Sequence, residues 1–495
     1  MPRQYISFGE WLPDRPEKGL QGCVTALNVI PAEVSYLPFP SLVQFSTSLG
    51  SRCKGMILAT DSANNNYNYA GDASALYTLT NQSFSISTRL VGGAYTIATD
   101  DFWEFVNWGS TVIGVNGLTD PLQQISLGAA NFADLSVGVK AKHIAVMRDF
   151  VVLGNVSDSA TNVTRIRWSA INNPASFTAN AATLADFQDL PTEGGEIQKV
   201  LGGDYGVVLQ RRSIWRMLFV GSPLVFQFDK IHSSIGLYAP QAAVRYQSQT
   251  FFLAEDGFYS FNGAELTPIG NGKVDNFFFT DLNTSNFQRI NSLIDPVNKL
   301  VIWAYPSNSS IGGNPDKLIV YNWLFAKWAL VEGVNIQFFT QSITTGYTLD
   351  GLDAVSTNLD TGILWSLDSV QWTGGQIIMS AFNATNQLSR FNGSAMAATI
   401  ESGEFKIFED NRAMITQVRP DIVGLSASAT ISIINRNNLT ESASVGGAAA
   451  YPNATGFVSF RVDSRYFRVR LNTAANVEFT HIVGVEIEAV QTGRR

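Results

Sequence analysis

The sequence predicts an all-β protein in which a β-propeller of about seven repeat units follows an extended N-terminal arm and precedes an antiparallel β-sandwich. Three observations predict this fold. Short apolar strands recur in pairs, one large residue recurs in each pair at a nearly constant spacing, and the pattern changes at both ends of the chain. With 495 residues, of which 45% are hydrophobic and 15% charged, the chain has enough apolar mass for a large core and does not resemble a disordered chain.

The repeat is clearest in the second strand of each predicted pair, which has one large residue at its centre. These residues lie 45, 46, 47, 44, 62 and 44 positions apart, and they are Tyr77, Leu122, Trp168, Trp215, Tyr259, Tyr321 and Trp365. A period near 45 is typical of propeller blades, because a four-stranded sheet must cover both apolar faces with its neighbours. We expect the aromatic members of this series to pack between blades, with six or eight blades as alternatives to seven.

The predicted boundaries follow from where this pattern begins and ends. Residues 1–50 contain several prolines and lack paired strands, so they predict an extended arm, with few regular hydrogen bonds of its own, that wraps another part of the chain or a neighbour. Residues 51–380 predict the propeller, with a partly helical insertion near 276–291. Residues 381–495 alternate apolar and polar positions and predict the β-sandwich, in which Arg468 and Arg470 are expected to face Glu486 and Glu488.

Motifs for catalysis are scarce in this chain. Its three histidines lie in different units, and it has no nucleophile elbow, phosphate-binding loop or zinc-protease motif. Some propellers hydrolyse glycosidic bonds with two carboxylates, and the best candidates here are Asp100 with Asp101, Asp186 with Asp189, and Glu255 with Asp256. None lies in a recognisable catalytic box, and the last pair is better explained by a hairpin turn. We therefore expect no enzyme activity, metal or cofactor.

Charge and cysteine content further restrict the classes of protein to which this chain could belong. Lys and Arg number 33 against 41 Asp and Glu, and a net charge of −8 argues against a protein that wraps duplex DNA, although DNA could still slide past it. So few charges are typical of a subunit that buries surface in an assembly, or of a monomer covered with Ser, Thr and Asn. Cys23 and Cys53 are expected to be free buried thiols, with one disulfide as the alternative. No stretch predicts a secretory signal or a membrane span.

Five segments carry a resemblance to a known family. They are Trp11-Leu12-Pro13-Asp14, the run from Arg167-Trp168-Ser169 to Phe177-Thr178, Ile235-Gly236-Leu237-Tyr238-Ala239-Pro240, the run from Phe251 through Asp256-Gly257-Phe258-Tyr259 to Gly263, and the run from Tyr321-Asn322-Trp323 to Trp328. In this order they resemble the tail nozzle proteins of short-tailed bacteriophages, which include the packaged-DNA stabilisation, or tail hub, proteins. The resemblance extends from the arm through the propeller into the sandwich.

The resemblance implies a structural virion protein that is made in the host cytoplasm and located in the tail. Family members form a six-fold ring at the distal end of the tail tube, retain the packaged genome and become its exit channel at ejection. The implied partners are further copies of the chain, the tail adaptor above it, and tail spike, fibre or needle proteins. Contact with genomic DNA in the lumen is expected to be transient, and no stable membrane insertion is expected.

We expect the retention of DNA to be steric, through polar loops that narrow the lumen. Two loops are longer than hairpin turns require, and the residues expected to form the gate are Asn172, Asn173 and Phe177 in the first and Ser307, Asn308 and Ser309 in the second. The alternative role for these loops is lateral or solvent-facing decoration. The alternative functions for the chain are a propeller that binds or hydrolyses glycans and a cellular scaffold that binds peptides.

Overall fold

The computed structural model describes residues 3–63, 65–80, 82–136, 138–343, 377–451 and 455–493. Strands predominate in these ranges, so the all-β prediction is confirmed. The first five strands lie in the segment that was predicted to be an arm. They are β1 (Arg3–Ser7), β2 (Cys23–Leu27), β3 (Val29–Pro31), β4 (Tyr36–Pro38) and β5 (Pro40–Ser48).

Six four-stranded antiparallel sheets follow in chain order, and in each of them every strand pairs with the next. The first three are β6–β9 (Gly55–Thr60, Asn66–Gly71, Leu76–Thr80, Ser83–Ser87), β10–β13 (Glu104–Trp108, Thr111–Val115, Leu122–Ser126, Ala133–Ser136) and β14–β17 (Lys140–Met147, Phe150–Ser157, Thr161–Trp168, Asp186–Asp189). The next three are β18–β21 (Ile197–Leu201, Gly206–Gln210, Ile214–Gly221, Val225–His232), β22–β25 (Ala243–Tyr246, Gln249–Leu253, Phe258–Phe261, Leu266–Pro268) and β26–β29 (Asn291–Asp295, Leu300–Tyr305, Lys317–Asn322, Lys327–Glu332).

The seventh sheet uses strands from both ends of the chain. It contains β30 (Ile336–Ile343), β31 (Ile377–Asn383) and β32 (Gln387–Ala395), and the arm strand β5 pairs with β32 as its fourth strand. The first strands of the seven sheets contact one another in cyclic order, from β6 through β10, β14, β18, β22, β26 and β30 back to β6. The sheets therefore form a closed, propeller-like ring with their first strands around its centre.

The hydrophobic core of this ring is divided among the gaps between neighbouring sheets. Separate clusters fill the gaps between the first and second, second and third, third and fourth, and seventh and first sheets. The largest cluster runs through the fifth and sixth sheets into the C-terminal part of the chain. Each sheet thus buries its faces against its neighbours, as a four-stranded sheet with two apolar faces requires.

Five of the six aromatic residues that were predicted to pack between blades are described, and each lies on the third strand of its sheet. They are Tyr77 on β8, Trp168 on β16, Trp215 on β20, Tyr259 on β24 and Tyr321 on β28, whereas Trp365 lies outside the described residues. The ring centroid of Trp168 is 5.1 Å from that of Phe226 on the next sheet. Tyr259 instead stacks on Phe252 of its own sheet, with centroids 5.8 Å apart.

The C-terminal part of the chain forms two sheets that share one core. Its strands are β33 (Ala398–Ser402), β34 (Ala413–Val423), β35 (Ala429–Arg436), β36 (Ser444–Tyr451), β37 (Val458–Ser464), β38 (Tyr466–Thr473) and β39 (His481–Gln491). One sheet has the order β2-β33-β38-β35-β36, and the other has the order β3-β4-β39-β34-β37, with β1 also paired to β39. The helix α1 (Asp275–Asp281) and a short 3₁₀ helix at Thr284–Arg289 lie between β25 and β26.

The arm strand β2 joins the ring to the C-terminal part. It pairs in parallel with β29 of the sixth sheet, at Leu27 and Leu330, and antiparallel with β33 on its other edge. Together these strands make one nine-stranded sheet that runs from β26 at the ring to β36 at the outer edge of the C-terminal part. The arm is therefore a structural element of both bodies.

Asn28, directly after β2, completes this junction. Its backbone N–H donates to the carbonyl of Leu330 at 2.8 Å, and its side-chain Oδ1 accepts the N–H of Glu332 at 2.8 Å. Its Nδ2 donates to the carbonyl of Ala397, beside β33, also at 2.8 Å. Asn28 is 7% exposed and has a φ of 58°, a left-handed conformation that asparagine tolerates better than most residues.

The structure differs from the predicted boundaries in two places. The boundary that was expected after residue 380 falls within β31, and residues up to Ala395 belong to the seventh sheet. The arm was expected to have few regular hydrogen bonds, but its five strands pair with each other or with strands far along the chain. The prolines of this segment led to the wrong prediction, because prolines also occur at strand ends and on edge strands.

The expected pairing of Arg468 and Arg470 with Glu486 and Glu488 is wrong. Strand β38 and strand β39 are consecutive in sequence but lie in different sheets, so their side chains do not face each other. Both arginines instead contact Glu401 of β33, at 3.2 and 2.7 Å.

Replacement of Asn28 tests the junction. We expect Asn28→Ala to lower the free energy of unfolding by about 2–4 kcal/mol, because two side-chain hydrogen bonds are lost and alanine resists a positive φ. Asn28→Gly is the matched control: it loses the same hydrogen bonds without the backbone strain, so it should be less destabilising than alanine. Urea unfolding measures both, and equal stability of the alanine variant and the natural chain would contradict this role.

Candidate functional site

The ring has two distinguishable ends. A four-stranded meander returns the chain to the end from which it started, so all seven first strands begin at the same end, which we call the starting end. Connections between second and third strands also lie at the starting end, whereas connections between third and fourth strands lie at the opposite end. Central side chains come from the first strands or from the residues just before them.

Four polar side chains from neighbouring sheets meet at the centre of the ring. They are Glu104 on β10, His143 on β14, Lys199 on β18 and Gln241 just before β22. Oε1 of Glu104 is 2.7 Å from Nζ of Lys199, 2.9 Å from Nε2 of Gln241 and 3.1 Å from Nδ1 of His143. Glu104 and His143 are buried. We call these four residues the central cluster.

The electrostatics of the central cluster favour an ionised carboxylate. Burial opposes the ionisation of Glu104, but Lys199 and His143 outweigh it through charge and hydrogen bonds, so that the pKa of Glu104 is lowered to about 2. A carboxyl group with this pKa is deprotonated at neutral pH and is unsuited to act as a general acid. The central cluster is therefore a structural plug that ties four sheets together.

Small cavities lie on both sides of the central cluster. The cavity at the starting end has a volume of about 210 Å³, and its charged lining includes Asp100, Asp101, Lys142, Glu196 and Arg211. The cavity on the other side, of about 340 Å³, has a mostly apolar lining. Neither can admit a duplex, whose major groove alone is about 12 Å wide. DNA cannot pass through the centre of a single ring of sheets.

The carboxylate pairs that were considered for glycoside hydrolysis lie in three separate places. Asp100 and Asp101 line the cavity at the starting end, but Asp101 is paired with Lys142 at 2.9 Å. Asp186 and Asp189 lie at the ends of the outer strand β17. Glu255 and Asp256 lie in the turn between β23 and β24, where their carboxylates bind the side chains of Arg211 and Tyr259.

The first predicted gate loop is held by internal contacts. The backbone N–H of Asn172 donates to the carbonyl of Asp149 at 2.9 Å, and that of Asn173 donates to the carbonyl of Ala170 at 3.1 Å. Phe177 is 3% exposed and belongs to the core between the second and third sheets. This loop joins a third strand to a fourth strand, so it lies at the end opposite the starting end.

The second predicted gate loop is also internally bonded. Ser307 is buried and donates its hydroxyl to Asp316 at 2.7 Å, and its Oγ accepts the N–H of Ser309 at 3.1 Å. The side chain of Asn308 donates to the carbonyl of Thr280 at 2.8 Å. This loop joins a second strand to a third strand and lies at the starting end, so the two loops cannot form one gate within a subunit.

Sequence reasoning missed the central cluster. Glu104, His143 and Lys199 lie on three strands that are far apart in sequence, and they come together only because the ring places these strands side by side. Among the described residues, no group of three His, Cys, Asp or Glu side chains could hold a metal ion. Both cysteines are buried and free. None of the helices in the described ranges is long and apolar enough to cross a membrane.

Comparison with known proteins gives no family for this chain. No family model and no curated protein matches it. Solved structures that resemble it include the extracellular domain of a one-component system from B. thetaiotaomicron, with 10% identity over 85% of this chain and a TM-score of 0.40. This chain covers 48% of that protein, about half of its length.

Two further structures have lower scores. They are the Neurospora crassa Pan2 WD40 domain, with 8% identity, a TM-score of 0.38 and coverage of 74% of this chain and 98% of that one, and the Phanerochaete chrysosporium exo-β-1,3-galactanase, with 8% identity, a TM-score of 0.27 and coverage of 88% and 100%. These values assign neither a family nor an activity.

Removal of the central carboxylate tests the plug. We expect Glu104→Gln to lower the free energy of unfolding by about 3–5 kcal/mol, because Lys199, whose side chain is only 14% exposed, loses its counter-ion. Glu486→Gln is the control, since Glu486 pairs with Arg3 at 3.7 Å near the surface and should contribute less than about 1 kcal/mol. Urea unfolding distinguishes them, and equal losses would contradict the plug.

The central cluster also predicts that its contribution to the stability of the fold decreases at acid pH. The pKa of Glu104 falls from 4.5 to about 2 on folding, so its stabilisation is present above pH 4.5 and is lost as the pH falls toward 2. The difference in urea midpoint between the natural chain and Glu104→Gln should therefore narrow as the pH is lowered from 5 to 2.5. A difference that stays constant over this range would exclude a depressed pKa.

Proposed function

We propose that this protein is a structural subunit of the distal tail nozzle of a short-tailed bacteriophage. In this proposal the seven sheets are a seven-bladed β-propeller, the C-terminal sheets are a β-sandwich, and the two together form the building block of a closed ring of subunits. The ring retains the packaged DNA and serves as its exit channel at ejection.

One observation carries the proposal: segments that resemble the nozzle family contact the helix α1 or the arm where the arm packs on the ring. The ring centroid of Trp11 lies 5.2 Å from that of Phe277 at the start of α1. The carboxylate of Asp14 accepts the N–H groups of Asn276 and Phe277 at 2.9 and 2.7 Å. This caps the N-terminus of α1, whose own N-cap residue forms no side-chain cap.

Two more of these segments meet at the same junction. Nδ2 of Asn322, at the end of β28, donates to the carbonyl of Pro31 in the arm at 2.9 Å. The carboxylate of Asp275 in α1 accepts the N–H of Phe258, the first residue of β24, at 3.2 Å. A Cβ atom at Gly257 or Gly270 would overlap this carboxylate. Asn322 and Asp275 thus hold separate parts of the chain together, which supports a structural role for these segments over a catalytic one.

The closed centre of the ring supports a conduit between subunits. Because the central cluster blocks the ring of sheets, DNA must pass through a lumen lined by several copies. A net charge of −8 suits such a lumen, since phosphate contacts depend on Lys and Arg. Retention by loops from several copies stays part of the proposal, and the loop at 307–316 and the loop at 172–185 then serve at different levels of the channel.

Electron cryomicroscopy of particles that carry this chain tests the proposal. We expect copies of the chain around a rotational axis at the distal end of the tail, with the DNA path between them. Density for the chain away from the tail axis would overturn the proposal, and so would purified particles in which the chain is not found. Hydrolysis or retention of a glycan by an isolated monomer would instead favour the glycan-directed alternative, whose site would be the polar cavity at the starting end.

The contact between the arm and α1 predicts that the stability of the fold depends on pH. Burial, with the nearby carboxylates of Asp14 and Asp256, raises the pKa of Asp275 from 3.8 to about 6. A raised pKa means that the folded chain binds this proton more tightly than the unfolded chain, so this group costs stability as the pH rises through 4 to 7.

Asp275→Asn removes that titration. Its melting temperature relative to the natural chain should rise between pH 4 and pH 7 by about 1–3 °C. Asp410→Asn is the matched control, because Asp410 is exposed and should leave the difference unchanged. A constant difference for Asp275→Asn would show that this carboxyl does not titrate in the folded chain.

A further inference from the structure

We propose that copies of this chain assemble head to tail through the C-terminal sheets, with the free edge of β36 in one copy paired to the free edge of β1 in the next. This inference rests on the proposed function and names the contact that closes the ring. It is argued from two unpaired strand edges and from where they lie.

Strand β36 is the first of these edges. Among the described residues it pairs only with β35, and it forms the outer end of the nine-stranded sheet. Its sequence, Ser-Val-Gly-Gly-Ala-Ala-Ala-Tyr, contains no charge and no proline, and most of its residues are exposed. An exposed, uncharged edge of eight residues is a template for pairing with another chain unless something covers it.

The neighbouring edge strand shows the usual protection. Strand β37, at the same side of the C-terminal part, carries Arg461 and Asp463, and charges of this kind discourage pairing with another chain. The contrast between two adjacent edges indicates that β36 is left unprotected for a partner.

The second edge lies at the other side of the same two sheets. Strand β1 pairs with β39, and among the described residues no strand pairs with its outer edge. That edge borders a groove of about 800 Å³, lined by Gln4–Ser7, by residues 18–22 and by residues 402–406. The groove is open to solvent, and on one side it is bounded by the extended backbone of β1, to which a strand can be added.

The positions of the two edges select a second copy of this chain as the partner. In the sheet that ends at β36, four strand spacings separate β36 from β2, or roughly 19 Å at the spacing of paired strands. Strand β36 therefore cannot reach the groove beside β1 in its own chain. Complementary surfaces on opposite sides of one subunit form a heterologous contact, which closes into a ring when the rotation between copies allows it.

Mass photometry and sedimentation of blocked variants test the contact. Ala448→Lys with Ala450→Lys places two charges on exposed positions of β36, and Gln21→Trp fills the groove from an exposed position. We expect the natural chain to form closed oligomers and each blocked variant to associate at least tenfold more weakly. An equimolar mixture of the two variants should form dimers and nothing larger, because each has one intact surface.

Controls separate loss of the contact from loss of the fold. Gln227→Lys adds the same charge to an exposed position on β21, the outer strand of the fourth sheet, and should assemble like the natural chain. Circular dichroism and urea unfolding should be unchanged in all variants that lose assembly. A blocked variant that is also unfolded is replaced by the single change Ala450→Lys, which must weaken association in the folded state.

The outcomes also distinguish this inference from the proposed function. Closed oligomers that persist in both blocked variants would overturn the contact and leave the nozzle assignment standing. Oligomers larger than dimers in the mixture would overturn the head-to-tail arrangement. A natural chain that stays monomeric would overturn the contact as well, and its absence from virus particles would in addition overturn the nozzle assignment.

Discussion

The structure depends on the placement of β2 between β29 and β33, because this one strand joins the sixth sheet of the ring and one sheet of the C-terminal part into a single sheet. Asn28 stabilises this placement with hydrogen bonds to residues beside both neighbouring strands. After β3 and β4, the arm strand β5 pairs with β32 in the seventh sheet. The arm therefore closes the ring through β5 and binds the C-terminal part to the ring through β2. Separation of the ring from the C-terminal part would therefore require the pairing of β2 with β29 or with β33 to break.

The centre of the ring is stabilised by charge rather than by apolar packing alone. Glu104 accepts hydrogen bonds from side chains of three neighbouring sheets, so the first strands are held at a fixed distance from one another. In a low-dielectric interior such a satisfied network is rigid, and an incomplete one is costly. The proposed function therefore places the DNA path between copies of the chain rather than through the centre of one ring.

The amino-acid sequence predicts the middle of each sheet well and its margins poorly. Second strands such as β19 and β27 are covered on both faces, so they are short apolar runs, and residues such as Trp168 and Trp215 mark the third strands at a regular spacing. Fourth strands such as β17 are exposed and resemble loops. The contribution of β5 to the seventh sheet was not predicted because this strand precedes the first sheet in sequence, and the central cluster was not predicted because Glu104 and Lys199 meet only across sheets. Pairing of Arg468 with Glu401 rather than Glu486 shows the same limit, since a change of sheet leaves no trace in local alternation.

Hydrogen exchange of the intact chain, followed by mass spectrometry, tests most directly whether ring and C-terminal part are one body. The account predicts that amides in β29, β2 and β33 exchange in one cooperative opening with the same protection. Markedly faster exchange in β33 and the rest of the C-terminal sheets, with β29 still protected, would contradict it, because the two parts would then open independently of the strand that joins them.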